Sequence, residues 1–192
     1  MRIGIYSGTF NPVHAGHIGF ALQAISAGRL DAVYFLPERR PRRKSGVEHY
    51  AHRVAMLQKA CRPHPQLDVL ELPDTQFSIA KTWPRLRQRW PQADIYMLMG
   101  SDVALHVPEW PGAKAFLPAV TVVVGRRTGS DTPSISSRQL TIDSYAPQVS
   151  ATLIRQALRS QKTNAPGMLQ SVRRYAIQHW LYTPDIMKSK SQ

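Results

Sequence analysis

The chain carries one cysteine, Cys61, in 192 residues, so no intrachain disulfide can form, and the paired Cys-x-x-Cys spacing of a structural zinc site is missing. Acidic residues are scarce: 12 Asp and Glu stand against 25 Lys and Arg, a formal net charge of +13. No apolar stretch approaches the roughly 20 residues needed to cross a bilayer, and the longest runs are strand-sized. The opening Arg2-Ile3-Gly4-Ile5-Tyr6 lacks the basic and apolar regions of a secretory signal. Neither a Gly-x-x-x-x-Gly-Lys-Ser/Thr phosphate loop nor a Gly-x-Gly-x-x-Gly fingerprint occurs. These absences argue against a secreted disulfide scaffold, a membrane span, a zinc module and two familiar nucleotide loops. They make the reducing cytoplasm the expected setting.

The chain does have the makings of a packed interior, with 43% hydrophobic and 19% charged residues. Its length suits one α/β domain over residues 1–182, with a helical part from about residue 149 and a frayed polar tail over 183–192. The basic excess favours anionic partners, because the summed potential concentrates nucleotides, polyphosphate or nucleic acid near the surface. It does not choose among them.

Apolar runs alternate with helical periodicity. Strands are expected at Ile3–Tyr6, Val33–Leu36, Leu67–Leu72, Asp94–Met99 and Val120–Val124, and an edge strand near Leu140–Ile142. Helices are expected through Ile18, Leu22 and Ile25, then over His49–Ala60, Ser78–Trp90, from Ser150, and from Pro166 to Trp180. This rhythm predicts a parallel sheet with helices on both faces and a small C-terminal helical segment. His49 and His52 lack further ligands at metal-binding spacing and are expected to line a helix face.

Gly8-Thr9-Phe10-Asn11-Pro12-Val13-His14-Ala15-Gly16-His17 falls where the first strand hands over to the first helix, the place where open α/β sheets bind ligands. Glycine there allows main-chain N–H groups close to phosphate oxygens, and the helix start adds unpaired donors and partial positive charge. His14 and His17, three residues apart, fall on one side of a helix, where both imidazoles can meet one phosphate chain. The six fixed letters of Gly-x-Phe-x-Pro-x-His-x-Gly-His coincide by chance at roughly one start site in 10⁷ at ordinary residue usage. The string is similar to the signature of the nucleotidylyltransferase superfamily, and among its members resembles the bacterial nicotinate mononucleotide adenylyltransferases.

The resemblance extends along residues 1 to about 182. Val149-Ser150-Ala151-Thr152-Leu153-Ile154-Arg155 resembles the family's C-terminal Ile-Ser-x-Thr-x-Ile-Arg motif, which implies phosphate contacts for Ser150, Thr152 and Arg155; on residue type alone the hydroxyls serve equally as helix caps. Gly100-Ser101-Asp102 resembles the family's Gly-x-Asp at a strand end, where the carboxylate meets ribose or orients a cradle group, or else caps the next helix. Trp110 stands where the family stacks a tryptophan on the pyridine ring. Val124-Gly125-Arg126-Arg127 resembles a strand ending in two arginines. The middle departs: Pro37-Glu38-Arg39-Arg40-Pro41-Arg42-Arg43-Lys44 replaces a Pro-Pro-His-Lys-like loop, so that Lys44 has a counterpart and the histidine does not. The stretch from Phe77 to Trp83, with Thr82, is only loosely similar.

The resemblance implies a Rossmann-like fold and transfer of AMP from ATP to a pyridine mononucleotide in NAD biosynthesis, with Mg²⁺ bridging phosphate oxygens. It assigns catalysis to His14 and His17, ATP binding to Gly8, Thr9, Phe10, Gly16, Gly100, Asp102, Ser150, Thr152 and Arg155, and acceptor binding to Lys44, Thr82, Trp110 and Arg126. Two other readings stay open: another phosphorylated acceptor, and a non-catalytic nucleotide or RNA sensor, suggested by the charge and the basic run from Arg39 to Lys44.

Overall fold

The computed structural model describes residues 1–41, 45–126, 132, 134–143, 149–160, 162 and 165–183. Six strands, β1 (Arg2–Gly8), β2 (Ala32–Pro37), β3 (Leu67–Val69), β4 (Asp94–Gly100), β5 (Thr121–Arg126) and β6 (Gln139–Asp143), form one sheet. Its order is β3-β2-β1-β4-β5-β6, and every neighbouring pair is parallel. The helices are α1 (Ala15–Gly28), α2 (Tyr50–Cys61), α3 (Thr82–Arg89), the short α4 (Ser101–Ala104) and α5 (Ala113–Phe116), α6 (Ala151–Arg159) and α7 (Gln170–Gln178).

Both sheet faces are buried, as a parallel sheet requires. Side chains alternate along each strand: Ile3, Ile5, Ile95, Met97, Val122 and Val124 enter one core with Leu86, Trp90 and Phe116. Val33, Phe35, Leu98 and Val123 enter the other with Ile18, Met56 and Ile154. After β3 the chain crosses back to lay β4 on the free side of β1, so the winding reverses between these two strands. Their carboxyl ends therefore splay the following loops apart and open a crevice.

Three boundaries differ from the sequence pattern for definable reasons. β3 stops at Val69, and after the Leu70 N–H bonds to Phe35 O at 2.8 Å the chain runs into Pro73, which has no N–H for a ladder. α3 begins at Thr82, not Ser78; a start at Ser78 puts Pro84 in the helix interior against the carbonyl of residue 80, whereas the observed start keeps it in the first turn. α7 begins at Gln170, not Pro166, because Gly167 takes φ +74°. Within α2, His52 Nδ1 lies 3.0 Å from the Tyr175 hydroxyl of α7. Among the described residues no helix is long and apolar enough to cross a membrane.

Candidate active site

A cleft of about 670 Å³ opens at the carboxyl ends of β1 and β4. Ser7 and Gly8 end β1 on its wall, Thr9, Phe10 and Asn11 continue it, and His14, Gly16 and His17 lead into α1. Gly100 to Val103 and Gly125 supply the β4 and β5 side, and Val149 to Thr152 with Arg155 close it from α6. All eleven residues that the sequence assigns to catalysis or ATP binding thus meet in one cleft.

Its local geometry follows from steric necessity. Phe10 has φ +48°, a left-handed conformation unusual for a bulky residue. Burial to 3% exposure and edge contacts with Tyr6 and Phe35, each at 5.4 Å, hold it there. The ring folds back over Gly8, where an added Cβ would lie 3.0 Å from it. α1 then starts with His14 as an extended N-cap. Of the first-turn amides, Ala15 donates to Gly167 O at 2.9 Å and His17 to His14 O at 3.0 Å.

The two imidazoles stack with centroids 3.7 Å apart and planes at 22°. The His14 N–H donates to His17 Nδ1 at 3.2 Å, so a neutral His17 carries its proton on Nε2. His14 is 8% exposed, and among the described residues its Nδ1 is buried without a hydrogen-bond partner. Burial pushes this imidazole down to about 4 from 6.5. Gly16 makes room: a Cβ there would approach His14 Nδ1 to 3.1 Å.

On the opposite wall, Gly100, not Asp102, is the N-cap of α4. The exposed Asp102 carboxylate curls over Gly100, whose Cβ, if present, would meet Oδ1 at 2.5 Å. Burial, and secondarily the Asp102 charge, raises the Tyr6 phenol well above its usual range. Ser150 caps α6, its Oγ accepting the Leu153 N–H at 3.2 Å. Arg155 donates to Asn11 O at 2.8 Å and to Thr152 Oγ1 at 3.1 Å.

The residues assigned to the acceptor are more scattered. Thr82 is fully buried, its Oγ1 accepting the Ser78 N–H at 3.0 Å, and lines a small cavity with Ser7, Glu38, Asp74 and Phe77. Ser7 borders both this cavity and the main cleft. Trp110 packs its ring 6.0 Å from Phe77. Arg126 is held at 2.7 Å by Asp143 across the β5–β6 pair. Lys44 lies outside the described residues.

Two supporting groups escaped the sequence reading. Arg53 of α2, 1% exposed, donates to Thr9 O and Glu38 O at 2.7 Å each and to Glu48 O at 3.0 Å. Its signal was an arginine on the same helix face as Met56, Leu57 and Ala60. Buried Asn11 takes the Tyr182 hydroxyl on Oδ1 at 2.9 Å, and Glu48 accepts the Tyr182 N–H at 2.9 Å.

Fold and cleft together define a doubly wound α/β protein with a strand–helix junction open at its switch point. Comparison with known proteins agrees. Residues 5–157 match the cytidylyltransferase-like family. A probable nicotinate-nucleotide adenylyltransferase of Bacillus pumilus is 31% identical over 94% of this chain and 98% of its own length. The nicotinate-nucleotide adenylyltransferase of Bacillus subtilis is 29% identical over 94% and 98%. The nicotinic acid mononucleotide adenylyltransferase of Plasmodium falciparum, solved with NaAD, superposes with a TM-score of 0.79 at 16% identity, covering 94% of this chain and 97% of that one. The chain belongs to the nicotinate-nucleotide adenylyltransferase family within the cytidylyltransferase-like proteins.

Proposed function

We propose that the protein transfers AMP from ATP to the phosphate of nicotinate mononucleotide, or of its amide counterpart, forming a dinucleotide and pyrophosphate in NAD biosynthesis. The stacked imidazole pair at the mouth of the β1–α1 junction carries this reading. An acceptor phosphate oxygen attacks the α-phosphorus of ATP, a new P–O bond forms, and the bond to pyrophosphate breaks. A phosphomonoester is already largely ionised at pH 7, its second pKa being about 6, so neither a protein base nor a covalent intermediate is required. Catalysis is then alignment of two polyanions and stabilisation of the leaving charge.

In this scheme His17 donates from Nε2 to an α-phosphate oxygen. His14, kept neutral by burial, gains affinity for a proton when the polyanion enters. Gly8 to Phe10 and Gly16 form the main-chain cradle, while Ser150, Thr152 and Arg155 meet the β- and γ-phosphates. Asp102 faces the ribose hydroxyls, and Gly100 lets the chain approach closely. The acceptor ring seats on the far side of Ser7, towards Thr82 and Trp110. Asp102 is the one carboxylate on the cleft wall among the described residues, a donor set that fits Mg²⁺ held chiefly by phosphate oxygens.

Pyrophosphate release from ATP, Mg²⁺ and nicotinate mononucleotide tests the proposal, and a panel of nicotinamide mononucleotide, phosphopantetheine and other phosphomonoesters fixes the acceptor. His17→Ala is expected to lose at least about 100-fold in kcat with the fold retained. Undiminished turnover in that variant removes the role given to the imidazole. No turnover with any acceptor, together with RNA binding that falls steeply with salt, replaces the transferase by a sensor.

A further inference from the structure

We propose that Arg53 is a positioning residue that sets the main-chain shape of the phosphate cradle from beneath; this rests on the reading of the cleft as a triphosphate site. A guanidinium buried to 1% exposure carries a large desolvation cost. Burial accordingly lowers its proton affinity, against the opposing influence of Tyr182, Tyr50 and Glu38. No carboxylate bonds to it among the described residues; its partners are main-chain carbonyls. Nε donates to Glu48 O at 3.0 Å, Nη1 to Thr9 O at 2.7 Å, and Nη2 to Glu38 O at 2.7 Å and Arg39 O at 3.4 Å.

These carbonyls come from three separate segments: the cradle itself, the turn after β2, and the entry to α2. Fixing Thr9 O orients the peptide leading into Phe10, the residue at φ +48°. That peptide's N–H belongs to the set of main-chain donors assigned to phosphate. The planar fork matters because its donors point in several fixed directions, whereas an ammonium radiates from a single nitrogen and cannot span the same carbonyls. The cation also places positive charge beneath the proposed anion site, where the low dielectric strengthens its field.

The experiment uses the full chain and its Arg53→Lys variant, with α,β-methylene-ATP and inorganic triphosphate as probes. The expected result is a fall of about 10-fold or more in affinity for both probes by the same factor, because the damage is confined to phosphate contacts. General loosening of the fold also weakens the nucleoside contacts, so a markedly larger loss for the ATP analogue than for inorganic triphosphate overturns the proposal. Unchanged affinity for both overturns it too. If the wild-type protein binds neither probe, the functional reading fails first, which separates the two failures.

Should Arg53→Lys not fold, the wild-type protein supplies the readout: protection of the Arg53 guanidinium protons from solvent exchange. Protection should deepen at least about 10-fold with either probe bound. Exchange unaffected by probes that do bind overturns the proposal.

Discussion

Lowering the pH should destabilise this protein through His14 in a way that can be isolated from every other group. Its imidazole titrates near 6.5 when unfolded and near 4 when folded, so between those values the unfolded chain holds a proton that the folded chain does not. Because the folded value is the depressed one, the penalty is absent above about pH 7.5 and grows as pH falls through 6.5. The slope approaches about 1.4 kcal/mol per pH unit and the total reaches about 3 kcal/mol by pH 4. His52, which burial also lowers, and the carboxylates act in the same range, so the comparison is with His14→Asn. Urea unfolding midpoints of both proteins between pH 4 and 8 should diverge, with the wild type gaining about 3 kcal/mol relative to the variant by pH 7.5. Parallel curves, or an NMR titration of His14 centred near 6.5, refute the argument. A bound triphosphate should raise the same pKa, so calorimetry in buffers of different ionisation enthalpy should register proton uptake on binding.

Gly16→Ala places a methyl 3.1 Å from His14 Nδ1 and should open the 3.7 Å stack, lowering kcat by about 10- to 100-fold while stability changes by less than about 1 kcal/mol. Wild-type kinetics with unshifted His14 ring resonances would count against the stacking argument. Ser7→Ala removes a hydroxyl that is buried without a partner among the described residues, so urea unfolding should show a gain of about 1 kcal/mol while the acceptor's KM rises about 3- to 10-fold. A loss of stability with an unchanged KM contradicts both parts.

The sequence announces the sheet because strands buried on both faces leave dense apolar runs, and Val33-Tyr34-Phe35-Leu36 and Val120 to Val124 are of that kind. The β1–α1 junction is equally legible, since its glycines and histidines sit within ten consecutive positions. What a linear pattern hides is contact at long separation. Tyr182 touches Asn11 across 171 positions, and nothing local to either residue marks the other. Arg53 is hidden for another reason: a cation is ordinarily read as solvated, and this one is satisfied by carbonyls, which every residue possesses. Periodicity also overran α3 and α7, because apolar spacing does not register a proline in the wrong turn or a glycine in a left-handed one.

That long-range contact changes what the N-terminal signature means. The helix start that should bind phosphate is finished by the other end of the chain: Gly167 O accepts the Ala15 N–H, Arg155 donates to Asn11 O, and the Tyr182 hydroxyl donates to Asn11 Oδ1. Gly167 must be glycine on two counts, its φ of +74° and the contact its Cβ would make with Val149, a residue that itself lines the cleft. Strand, loop and first helix therefore form the junction, but Arg155, Gly167 and Tyr182 hold it in register. The cleft and the C-terminal helices should consequently order as one unit, and a nucleotide bound in the cradle should deepen amide protection more than 140 positions away along the chain; hydrogen exchange of α6 and α7 that ignores such a ligand refutes this.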